Sequence, residues 1–157
     1  MILKKPKYVL WILAVEAVGA LAGFLSRKGT EFYNLAVQKP ALSPPPVLFP
    51  IVWAMLYALM GIGAARVAAA PDSPERSRGL NLFVIQLIFN FFWSLIFFNA
   101  RSYGLALLWL LILWGMILLM ILQFRKVDKA AAWLQIPYLL WVTFAAYLNY
   151  GVWQLNR

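Results

Sequence analysis

Five apolar runs, each close to twenty residues long and parted by short polar segments, dominate this sequence. A run of that length crosses the hydrocarbon core of a bilayer as a helix, the local structure that satisfies its backbone N–H and C=O groups without water. The runs lie at about 8–25, 47–65, 80–98, 105–124 and 132–153. They predict an all-α integral membrane protein: a five-transmembrane-helix bundle forming one domain over 1–157. The balance of residues agrees, with 64% hydrophobic, 12% charged and a mean hydropathy of +0.78. Charged residues make up about 25% of an ordinary soluble domain.

The net charge of +9 does not point to nucleic acid. Lys and Arg cluster at the ends of the apolar runs, where the positive-inside rule and anionic headgroups account for them. The amino end, second loop and fourth loop carry nine of these cations, the other connections and the carboxyl end five. That asymmetry places the amino terminus inside and the first loop outside. There is no cysteine and no histidine, which removes thiolate nucleophiles, imidazole bases and the usual haem ligands. No metal site and no resident cofactor is expected.

The first run admits a rival reading as a signal peptide, with Lys4, Lys5 and Lys7 ahead of it and Ala20-Leu21-Ala22 near its end. Its length and the carboxyl group at Glu16 favour a span. Glu16 is the only acidic residue inside a run, and such residues are often functional, or else face the bundle as structural groups. Gly19 and Gly23 form a G-x-x-x-G pair that permits close helix approach, within the bundle or between subunits.

The first loop, 26–46, is dense in proline: Lys39-Pro40, then Pro44-Pro45-Pro46, with Pro50 just beyond. Fixed φ angles make it a stiff lid, or simply a rigid connection. The second run follows directly, with Trp53 and Tyr57 on one helix face and Arg66 placed to snorkel at its end. Residues 70–79 read as a polar linker. In the third run Gln86, Asn90 and Ser94 recur every four residues, with Trp93 beside them. Amides in hydrocarbon need partners, so this stripe faces other helices or a cavity. The fourth run, with Trp109 and Trp114, is uniformly apolar and reads as scaffold facing lipid over much of its surface. The fifth holds Pro137 near its start, where a kink or a tolerated missing donor is expected, then Tyr138, Trp141, Ala145 and Asn149.

With a rise of about 1.5 Å per residue, Trp53, Asn90, Trp93, Ala145 and Asn149 share the half of the bilayer beneath the first loop. Trp141 falls near the middle. Aromatic and amide groups from three helices at one depth, under a rigid lid, describe a covered cavity for a large planar apolar ligand.

An ordered set of residues resembles the translocator protein family, also called the tryptophan-rich sensory or peripheral benzodiazepine receptor family. It comprises Phe32-Tyr33, Lys39-Pro40, Pro44-Pro45, Trp53 through Met60, Gln86…Asn90…Trp93-Ser94 and Pro137-Tyr138-Leu139…Trp141…Ala145…Leu148-Asn149. The resemblance implies a five-helix bundle, usually a homodimer, with its binding site under the first loop. It implies porphyrin ligands such as protoporphyrin IX, sterols in some members, and synthetic isoquinoline carboxamides and benzodiazepines. Matching ligand positions are Tyr33, Trp53, Asn90, Trp141 and Ala145; Tyr57, Trp93, Tyr138 and Asn149 join them from the spacing. Some bacterial members degrade porphyrin in light, and the resemblance gives that role to Trp53 and Trp141.

Two departures concern the lid, where Phe32 and Leu42 stand at positions that are often tryptophan. A third concerns sterol: Gln154 stands where a cation is expected, and six residues part Tyr150 from Arg157, one more than the motif allows. Weak sterol binding is expected. Three activities follow: porphyrin-binding receptor or stress sensor, light-dependent porphyrin-degrading enzyme, and tetrapyrrole or lipid transporter. The last is disfavoured because no inverted repeat with broken helices is visible. Bacterial cell membrane is the expected location.

Overall fold

The computed structural model describes residues 5–157; Lys4, counted above among the amino-end cations, lies outside them. Among the described residues, five helical stretches are long and apolar enough to cross a membrane. The helices in chain order are α1 (Tyr8–Leu25), α2 (Arg27–Ala36), α3 (Leu48–Ala68), α4 (Pro74–Ser94), α5 (Tyr103–Val127), α6 (Lys129–Trp133) and α7 (Ile136–Leu155). A π-helical turn, Leu95–Asn99, extends α4, and α6 with α7 makes up the fifth span.

Helix α1 packs on α3, α4 on α5, and α5 on α7. Leu110, Leu113, Ile117, Met120 and Phe124 of α5 are buried in the core, while Leu105, Leu108, Leu111, Ile112, Leu119 and Leu122 are exposed. Helix α5 is thus the scaffold its composition suggested, one stripe inward and the rest outward. Lipid is as apolar as leucine, so close packing and interhelical hydrogen bonds hold such a bundle, the latter at about 0.6 kcal/mol each. Close packing shows at α1–α3. A Cβ on Gly61 would meet the Ile12 backbone, and one on Gly19 would overlap the Tyr57 ring.

Four local readings need correction. The first loop is not all proline-stiffened coil, because residues 27–36 form α2 ahead of the prolines. Tyr33 anchors that helix against Phe97 and Phe98, at ring distances of 5.5 and 5.4 Å. Proline density had hidden a one-sided pattern in the residues before it. The linker at 70–79 is shorter than its polarity implied. Ser73 caps α4 by accepting the Arg76 N–H at 3.0 Å, with Pro74 in the first turn and Glu75 at the positive end of the helix. Arg66 does not merely snorkel. Its guanidinium Nε meets the Asp128 carboxylate at 2.6 Å, and it also reaches the Tyr8 hydroxyl at 3.3 Å. Asp128 meanwhile caps α6 through the Ala130 N–H. The fifth span is broken at Leu134–Gln135, and Pro137 starts α7 where a donor is not needed. The buried Gln135 side chain donates to the Leu59 carbonyl of α3 at 3.2 Å.

Candidate functional site

The side chains that meet beneath α2 enclose a cavity of about 560 Å³. Helix α3 contributes Phe49, Trp53 and Tyr57, positions four apart on one face. Helix α4 and its π-helical turn contribute Asn90, Trp93, Ser94, Phe97 and Phe98; α7 contributes Trp141, Ala145, Leu148 and Asn149. Helix α1 supplies Glu16, Gly19, Ala20 and Gly23, and α2 closes the top with Thr30, Tyr33 and Asn34.

The floor is a hydrogen-bonded chain joining three helices. The Tyr57 hydroxyl donates to Asn90 Oδ1 at 2.8 Å, Asn90 Nδ2 donates to the Tyr138 hydroxyl at 2.7 Å, and Tyr138 donates to Gln86 Oε1 at 2.7 Å. The polar stripe of α4 is therefore spent largely on its neighbours, and only Asn90 and Ser94 of it also reach the cavity. A second tie runs higher, where the Trp93 N–H donates to Asn149 Oδ1 at 3.1 Å and Asn149 Nδ2 to the Tyr103 carbonyl at 2.8 Å.

Of the nine ligand-binding candidates named from sequence, Tyr33, Trp53, Tyr57, Asn90, Trp93, Trp141, Ala145 and Asn149 line this cavity. Tyr138 does not. It is fully buried, with its ring edge-on to Trp53 at 6.3 Å and its hydroxyl between two amides. Its position sets the Trp53 ring and the floor. Trp109 and Trp114 face elsewhere, donating to the Phe89 carbonyl and to Thr143 Oγ1.

The aromatic surfaces are ordered. Trp53 stacks on Tyr57 at 5.5 Å, and Phe49 meets Trp141 edge-on at 6.0 Å. The Trp141 indole N–H is buried with no acceptor among the described residues. Phe97 and Phe98 are neighbours in sequence, yet both reach the cavity. The π-helical turn, marked by the Ala100 N–H on the Leu95 carbonyl at 2.9 Å, widens the helix there. Burial, with a smaller contribution from Tyr103, pushes the Tyr33 phenol up to about 12, so it stays neutral at physiological pH.

The roof is fastened on the α7 side. The Gln38 N–H donates to Asn156 Oδ1 at 3.1 Å, Asn156 Nδ2 donates to the Gln38 carbonyl at 2.8 Å, and the Tyr147 hydroxyl donates to the Ala41 carbonyl at 2.7 Å. Neither Phe32 nor Leu42 lines the cavity. Phe32 lies under the Arg101 guanidinium at 3.5 Å, and Leu42 is 80% exposed with φ of 71°. On the α1 side the wall is open. Ala20, Gly23, Pro50 and Ala54 line the cavity and remain exposed, and a Cβ on Gly23 would touch nothing.

Sequence reasoning missed the α1 wall, Phe49 and the two phenylalanines of the π-helical turn. The signal for the first two was present: Glu16, Gly19 and Gly23, like Phe49, Trp53 and Tyr57, recur at helical spacing on one face.

The TspO/MBR family model matches residues 11–154. The chain belongs to the TspO/MBR family. It is 40% identical over 141 residues to the tryptophan-rich protein TspO of Chlorobaculum tepidum, covering 89% of each chain. It is 34% identical to protein CrtK of Rhodobacter capsulatus, over 95% of this chain and 92% of that one. Human translocator protein is 35% identical, over 90% of this chain and 85% of its own length. As a TspO/MBR protein with five spanning helices, the chain is an integral membrane protein.

Proposed function

We propose that this chain is a membrane receptor for porphyrins such as protoporphyrin IX, and for related large apolar ligands, held in the cavity beneath α2. The observation that carries this reading is the cavity itself: about 560 Å³, walled by Trp53, Tyr57, Trp93 and Trp141, with few free polar groups. Flat indole and phenol surfaces suit a planar macrocycle, and the volume lies in the range of ordinary ligand sites. The excess of cations at the amino end and in the second and fourth loops supports an amino terminus inside and a ligand mouth outside, in a bacterial cell membrane. Homodimer assembly is carried over from the family resemblance.

The test is titration of the purified protein with protoporphyrin IX, followed by the porphyrin's absorbance and by tryptophan quenching. Micromolar binding is expected, an affinity of about −8 kcal/mol. Trp141→Phe is expected to weaken it, and Trp109→Phe to leave it unchanged, since Trp109 lies outside the cavity. Equal losses from the two changes would remove the cavity from the reading.

A second reading is light-dependent porphyrin breakdown. It is favoured by one observation, that Trp53 and Trp141 reach the same cavity from α3 and α7. A photoexcited porphyrin held there has oxidisable indoles on two walls.

A further inference from the structure

Glu16 is the ninth residue of the 18-residue α1, midway along a spanning helix. It lines the cavity, and among the described residues it has neither a hydrogen-bond partner nor an ion pair there. The two amides that line the cavity are engaged: Asn90 with Tyr57 and Tyr138, Asn149 with Trp93 and Tyr103. A carboxylate alone among hydrocarbon side chains is costly, and a cation beside it offsets that cost. Gly19, one turn above Glu16, backs directly onto the Tyr57 ring, and Trp53 stacks on Tyr57 at 5.5 Å. The carboxylate and two electron-rich rings therefore serve one region of the cavity wall. Arg27, the one cationic side chain lining the cavity among the described residues, starts α2 beyond the end of α1 and is turned to the Phe24 carbonyl and ring.

We propose that Glu16, with the Trp53–Tyr57 stack, forms an amine subsite within the cavity, which takes ligands carrying a protonated aliphatic amine on an apolar body. The carboxylate supplies charge and hydrogen-bond acceptors, and the partly exposed Trp53 ring, backed by the buried Tyr57, supplies cation–π attraction. The open wall at Ala20 and Gly23 leaves room for the apolar body to extend. The subsite rests on the reading of this cavity as a ligand site, but it selects a different chemistry from a porphyrin's carboxylates.

The experiment uses the full chain in nanodiscs of zwitterionic lipid, with empty nanodiscs to correct for partitioning. The probes are a naphthylalkyl dimethylamine and its neutral methoxy analogue of equal length, titrated by tryptophan fluorescence. The amine is expected to bind about tenfold more tightly than the neutral analogue. Glu16→Gln is expected to erase that preference by lowering amine affinity to the level of the neutral probe, and Glu16→Asp to keep part of it. No preference in the unmodified protein, or one that survives Glu16→Gln, overturns the subsite; the first of these needs no variant to fold. Protoporphyrin IX titrated into the same unmodified sample separates the two readings. Porphyrin binding without amine preference removes the subsite alone, and failure of all three probes removes the cavity reading with it.

Discussion

At the scale of single residues, Asn90 shows why a polar stripe in a membrane helix needs three dimensions to interpret. Its oxygen accepts from Tyr57 on α3 and its nitrogen donates to Tyr138 on α7, so one amide ties three helices together. Leucine matches asparagine in size but satisfies neither hydroxyl. Asn90→Leu is expected to destabilise the bundle by about 1–2 kcal/mol, from two lost interhelical bonds and a Tyr57 hydroxyl left without a partner, while Tyr138 keeps its bond to Gln86. A lowered midpoint in detergent unfolding checks this; an unchanged midpoint would mean that Tyr57 finds another partner. Tyr138 carries the same lesson in reverse. Its spacing from Trp141 marks it as a wall residue, yet its hydroxyl is drawn down between Asn90 and Gln86, and its ring supports Trp53 instead.

At the scale of elements, the roof combines a helix and a proline segment, and each is held differently. Helix α2 is seated through Tyr33 on the aromatic cluster of the π-helical turn. The segment after it is clasped to the end of α7 by the paired bonds between Gln38 and Asn156. Those bonds are exposed to water, so together they contribute about 1 kcal/mol. Asn156→Ala is expected to speed porphyrin release by roughly fivefold, seen mainly in the off-rate, with the fold intact. A stopped-flow chase of bound protoporphyrin IX measures it, and an unaltered off-rate would show that the prolines alone keep the roof closed.

At the scale of the whole molecule, the cavity exists because α1, α3, α4 and α7 each present a face to one space, while α5 buttresses the bundle from outside it. Trp53 and Trp141 come within reach of one ligand only through that arrangement. Under illumination with oxygen, bound protoporphyrin IX is expected to convert to a new absorbing species that does not form in the dark. Phenylalanine preserves the apolar surface but is far harder to oxidise. The Trp53→Phe, Trp141→Phe protein is therefore expected to retain some binding and lose conversion. Undiminished conversion in that double variant would leave the chain as a binding protein whose ligand merely bleaches. A site partly closed to bulk water favours a defined product over general bleaching.

The five spans and their order were legible in the sequence because hydrocarbon permits so few backbone solutions for runs of this length. Eight of the cavity's residues were legible too: a shared depth and a helical spacing put Trp53, Asn90, Trp93 and Ala145 beneath the first loop before any contact was known, and Tyr33 came from the family resemblance alone. Only the tertiary structure decided which polar groups are spent and which are free. Tyr138 and the Gln86 amide oxygen are consumed in the floor, Arg66 is taken by Asp128, and among the described residues Glu16 has no partner on the α1 wall. Periodicity along one helix gives the face a residue occupies. What stands opposite that face depends on how neighbouring helices are rotated and packed, and local spacing alone does not determine that rotation.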